Sequence, residues 1–119
     1  MVLILGGAYA GKTDFARSLG YTAFSDDVYA DCPVLCHLEA AVWKDPDGAQ
    51  ALLSLLLQKE VVICREVGSG VIPLDPKARA WREAVGRLCC ALAKEATAVV
   101  RVVAGIPVVL KGVLPCACD

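Results

Sequence analysis

Eight consecutive residues, Gly6, Gly7, Ala8, Tyr9, Ala10, Gly11, Lys12 and Thr13, satisfy G-x-x-x-x-G-K-[ST] at each fixed position. In such a loop the glycines let successive backbone N–H groups converge on an anion, and a helix that starts near Lys12 adds its positive end. Lys12 has the charge and reach to meet β- and γ-phosphates, and the Thr13 hydroxyl is a suitable oxygen ligand for Mg²⁺. The eight residues therefore predict a binding site for a nucleoside triphosphate, GTP or ATP, with Mg²⁺.

Phosphoryl transfer also needs a carboxylate near the metal. Glu66 follows the apolar run VVICR, and a residue just past the C-terminal end of a parallel strand lies where ligands bind. It is the expected partner of Thr13 at the metal, with Asp26 and Asp27 as rivals. The single histidine, His37, reads as a half-buried helix residue bonded to a carbonyl or carboxylate. Cys32 and Cys36 beside His37, with Cys116 and Cys118 in the tail, bring zinc to mind, but the spacing contains no CxxC pair.

These residues need a frame that carries them to one place. Val2 to Leu5 reads as a buried parallel strand running into the glycines. A helix from Lys12, with Phe15, Ala16 and Leu19 on one face, stops at Gly20. FSDDVYADCP reads as a loop with a short strand at its start. VLCHLEAAVW reads as one amphipathic helix, residues 49 to 58 as another, and VVIC as a second buried strand. A long helix spans about Lys77 to Ala96, with apolar residues at three- and four-residue steps, and AVVRVVAG and PVVLKG supply two more strands. Strands that alternate with helices predict an α/β fold: a shortened, three-layer P-loop NTPase-like architecture with a mostly parallel sheet.

Composition narrows the class. A chain of 119 residues with 57% hydrophobic content suits one domain over residues 1–119. The formal net charge is −1, and the twelve Lys and Arg are dispersed, so no footprint for nucleic acid or an anionic membrane is present. The first residues lack the basic region and the long apolar stretch of a signal peptide, which predicts a cytoplasmic protein. Seven cysteines, an odd number in apolar contexts, read for the most part as buried free thiols rather than a disulfide scaffold.

The stretch Glu66 to Pro73, EVGSGVIP, then Arg82, Gly86 and Arg87 on the long helix and Gly105, Ile106 and Lys111 in the tail, resembles the bifunctional adenosylcobinamide kinase / adenosylcobinamide-phosphate guanylyltransferase family of cobalamin biosynthesis. The family's GGARSGKS-like loop corresponds to Gly6 to Thr13. The resemblance implies a homo-oligomeric enzyme that phosphorylates adenosylcobinamide, a corrinoid, at its aminopropanol hydroxyl and then attaches GMP through a covalent histidine intermediate. Lys12, Glu66 and His37 are the catalytic residues expected here, although PVLCHLEAAVW does not reproduce the family's His-His segment. Arg65 stands where the family tends to carry a small polar residue, and Pro107 is expected to alter a turn. Two other readings stand beside the enzyme: a catalytically reduced nucleotide-binding paralogue that serves as sensor or partner subunit, and a generic P-loop kinase of small metabolites.

Overall fold

The computed structural model describes residues 1–67 and 74–113. Much of the EVGSGVIP stretch, with Cys116 and Cys118, lies outside the described residues. Six strands form one sheet: β1 (Val2–Gly6), β2 (Phe24–Ser25), β3 (Val34–Leu35), β4 (Val61–Arg65), β5 (Ala98–Val103) and β6 (Ile106–Lys111). Their order is β2-β3-β4-β1-β5-β6, parallel throughout except for the antiparallel β5–β6 pair. The expected α/β class with a mostly parallel sheet is therefore the observed one.

β1 is central, and its VLIL run is apolar on both faces because helices cover both. Alternation along the strands sorts side chains into two cores. Val2, Ile4, Ile63, Val100 and Val102 pack with Ala16 of α1 (Lys12–Ser18). Leu3, Val62, Cys64 and Val99 pack with Leu38 and Val42 of α2 (Leu38–Lys44) and Leu56 of α3 (Leu53–Leu57), and with Val85, Leu88 and Leu92 of α4 (Pro76–Glu95). The result is a three-layer P-loop-like α/β fold.

Local signals set most ends. Gly20, at φ 99°, closes α1 by donating its N–H to the Arg17 carbonyl, as its place in the sequence predicts. Asp75 caps α4 through the Lys77 N–H, with Pro76 as the first helical residue. Three expectations need correction. Val34 and Leu35 are a strand rather than the start of a helix, and residues 46–52 wind as a 3-10 helix before α3, launched by Pro46 after the Asp45 cap. The two-residue turn between β5 and β6 is Ala104-Gly105, both at positive φ, so Pro107 shapes no turn. Pro107 instead lies on the edge strand β6, where a missing N–H is tolerated. No helix among the described residues is long and apolar enough to cross a membrane.

Candidate functional site

β1, β3 and β4 run parallel, so their C-terminal ends share one edge of the sheet. Ligands of open α/β sheets bind at this edge. A cleft of about 510 Å³ lies there, lined by Ala8, Tyr9, Ala10, Gly11, Lys12, Thr13 and Asp14, by Cys36, His37 and Glu39, and by Ile63 and Arg65. The structure thus brings together most of the glycine loop with His37.

Close packing shapes the loop. A Cβ on Gly6 would stand 2.7 Å from the Val102 carbonyl oxygen of β5, and one on Gly11 would stand 3.2 Å from Gly105 Cα. Gly11 also sits at φ 94°, in the left-handed region that favours glycine. The β5–β6 turn steadies the loop from outside, because the Gly105 N–H donates to the Ala10 carbonyl at 2.8 Å. Tyr9, at φ 60°, projects fully into solvent from the loop's tip.

Lys12 Nζ donates to the Gly7 carbonyl at 2.5 Å, so its ammonium bends back over the loop. Partial burial pushes its pKa below the ordinary lysine value, an effect opposed first by the charge of Glu39 and more weakly by that of Glu66.

His37 joins the end of β3 to α2 with φ 56° and ψ 49°, a conformation uncommon for a residue with a side chain. Its Nδ1 lies 2.7 Å from Asp26 Oδ1, and both side chains are largely exposed. An ionised carboxylate only accepts, so Nδ1 carries the hydrogen and the neutral ring presents Nε2 as its lone-pair atom. Asp26 therefore orients His37, while Asp27 closes a local turn by accepting from the Tyr29 N–H.

Glu66 is placed elsewhere. Its carboxylate takes two hydrogen bonds from Arg101, Nε at 2.7 Å and Nη2 at 3.1 Å, and it borders a second pocket with Leu5, Val67, Val85 and Cys89 on the α4 face, a pocket that shares only Arg65 with the cleft. The physical reason is strand alternation: Val62 and Cys64 face α4 and Glu66 continues that parity, whereas Arg65, of the opposite parity, reaches the cleft as well.

The cleft's buried carboxylate is Glu39, which sequence reasoning missed; Asp14 also borders the cleft but is exposed and paired with Arg17. It is the one buried charged side chain among the described residues, 8% exposed, although it lies on the first turn of a short helix. Its Oε1 accepts the Arg65 N–H at 2.9 Å, and its main-chain carbonyl accepts Trp81 Nε1–H from α4 at 2.7 Å. The five described cysteines are free, and no three His, Cys, Asp or Glu side chains among the described residues converge as a metal cluster.

A search of curated proteins found no match. Residues 33–110, from just before β3 almost to the end of β6, match the family described as cobinamide kinase / cobinamide phosphate guanyltransferase, a span that holds His37, Glu39, Glu66 and Arg101 but not the glycine loop. With two thirds of its length in that match, the chain belongs to the cobinamide kinase / cobinamide phosphate guanyltransferase family.

Proposed function

We propose that the chain binds GTP or ATP with Mg²⁺ in the cleft over residues 6–13 and uses it in cobalamin biosynthesis, phosphorylating adenosylcobinamide and then transferring GMP to the phosphorylated product. The observation that carries this reading is that residues 8–13 of a G-x-x-x-x-G-K-T loop and His37, which lies within the family match, line one cleft. In this reading Lys12 turns from the Gly7 carbonyl to the β- and γ-phosphate oxygens, and loop N–H groups hold the same anion.

The cleft would suit Mg²⁺, because it offers hard oxygen donors near the loop, the Thr13 hydroxyl and a carboxylate, that would hold the ion. Held there, such an ion would supply positive charge that offsets the charge of the phosphates. The aminopropanol hydroxyl attacks the γ-phosphorus, and the bond to the leaving nucleoside diphosphate breaks. In the second reaction His37 Nε2 attacks the α-phosphorus of GTP, pyrophosphate leaves, and a phosphate oxygen of the acceptor then displaces the histidine. Asp26 stabilises the imidazolium that forms. Glu66 enters as the residue that fixes Arg101 near the same edge of the sheet rather than as a ligand within the cleft.

We place the reaction in the cytoplasm and the chain in a homo-oligomer. All six residues of β6 are exposed, with Ile106, Val108, Val109 and Leu110 among the large apolar ones, which favours a contact between subunits.

The test is to incubate the protein with Mg²⁺, GTP or ATP, and adenosylcobinamide, and to read products and intact protein by mass spectrometry. Cobinamide phosphate and a GMP adduct that His37→Ala abolishes are expected. Bound nucleotide with neither product would leave the second reading, a nucleotide-binding paralogue that acts as sensor or partner subunit.

A further inference from the structure

Glu39 poses an electrostatic problem that the fold alone does not explain. A carboxylate is rarely buried without a counter-ion, because desolvation is expensive unless a partner compensates. Among the described residues Glu39 forms no salt bridge, the Lys12 ammonium that feels its charge being turned onto the Gly7 carbonyl instead. Its one side-chain hydrogen bond, accepted by Oε1 from the Arg65 N–H, could be accepted equally well by a glutamine. Two long-range bonds, to β4 and to α4, hold it against the cleft. The same cleft is lined by Lys12 and Thr13. A triphosphate there would bring several negative charges toward a fixed carboxylate, which weakens binding unless a divalent cation lies between them.

We infer that Glu39 is the carboxylate through which this chain recognises the divalent cation of a bound nucleoside triphosphate, making the site selective for the metal–nucleotide complex over the free nucleotide. The inference rests on the proposed nucleotide site and adds the residue that makes that site metal-dependent. Oε1 stays on the Arg65 N–H, and the remaining carboxylate oxygen faces the cation directly or through one of its waters.

The test compares GTP affinity in MgCl₂ and in EDTA by titration calorimetry, for the wild-type protein and Glu39→Gln. The wild-type protein is expected to bind GTP at least about tenfold more tightly with Mg²⁺. In Glu39→Gln that ratio is expected to fall to about two or less, with metal-free affinity equal to or higher than wild type, since the repulsion is gone. A merely structural Glu39 would leave the ratio unchanged, and that result overturns the inference while leaving the nucleotide site intact. A wild-type protein that binds no GTP overturns both.

A second measurement needs no variant. With ¹³C-labelled wild-type protein, replacing Mg²⁺ by Mn²⁺ in the GTP complex is expected to broaden the Glu39 carboxyl resonance beyond detection. A Glu39 signal that stays sharp overturns the inference even if Glu39→Gln fails to fold.

Discussion

On the α1 face of the sheet a single seven-residue helix covers the strands, and the glycine loop, Lys12, Arg65 and the open cleft lie at its edge. On the α4 face three helices and a 3-10 segment bury the larger core, Trp43 packs edge-to-face on Trp81 with ring centroids 5.4 Å apart, and Glu66 is paired with Arg101. Both faces are made from the same strands, so alternate residues of one strand serve opposite ends. Arg65 borders the cleft as well as the pocket on the other side, whereas Glu66, its neighbour in sequence, borders that second pocket alone. Apolar burial on the thick face stabilises the sheet, and that leaves the thin face free to keep polar groups and a strained loop. Substitutions should therefore separate: those on the thin face should change nucleotide binding, and those on the thick face should change stability.

The largest separation is expected at Lys12. Lys12→Ala removes the ammonium of the cradle, and nucleotide affinity or turnover should fall by about 10² to 10³, the loss typical of a single preorganised donor to a developing anion. Thermal unfolding should hardly move, because the one bond lost is an exposed contact to Gly7. A large fall in melting temperature would break the division between faces.

Leu88→Ala is the mirror experiment. Leu88 is fully buried on α4 within the larger core, and its truncation should cost about 2–5 kcal/mol in chemical denaturation. The folded fraction should bind nucleotide as before. If affinity falls in proportion to stability, the two faces are coupled through the sheet rather than separable.

Gly6 lies in the sheet itself, where both faces meet. Gly6→Ala places a methyl 2.7 Å from the Val102 carbonyl and 3.3 Å from the Lys12 chain, so β5 and the loop must both shift. Overpacking of this kind should cost about 1–3 kcal/mol, and here the nucleotide site should weaken with it. Calorimetry and denaturation on the same sample would show whether both change.

The sequence made the thin face more legible than the thick one, and for physical reasons. The glycine loop is local: its spacing, the strand before it and the helix after it all lie within twenty residues, so a reading of residues 2 to 20 recovers β1, α1 and the Gly20 stop. β4, β5 and α4 were also readable, from apolar runs and helical period. The β3–α2 junction was not, because Val34 and Leu35 make a strand of two residues that no period can distinguish from the turn of a buried helix, and His37 in the left-handed conformation breaks the chain direction without a glycine to announce it. Glu39 was missed for a related reason. Its burial depends on Arg65 and Trp81, residues 26 and 42 positions away, and a glutamate on a helix gives no local sign of such partners. Glu66 was different: the alternation Val62, Cys64, Glu66 was present in the sequence and, if followed, turns the carboxylate toward α4.

The smallest effect is the most direct probe of the thin face, because it reads the environment of one ammonium group. Burial disfavours the charged form of Lys12 in the free protein and holds its pKa below 10.5, whereas a bound polyphosphate favours that form and raises the pKa in the complex. Binding then takes up a proton in the interval between the two values. Affinity is therefore complete below the free-protein pKa and declines as pH rises through it. With ATP as probe, the decline in affinity should begin clearly below 10.5, and Lys12→Arg should remove it, since a guanidinium keeps its proton throughout. A wild-type curve that stays flat up to 10.5 would mean that burial does not lower the Lys12 pKa, so the ammonium would be as well solvated as on an open surface. The cleft would then differ from the rest of the thin face in shape alone, and its electrostatic distinction would pass to Glu39.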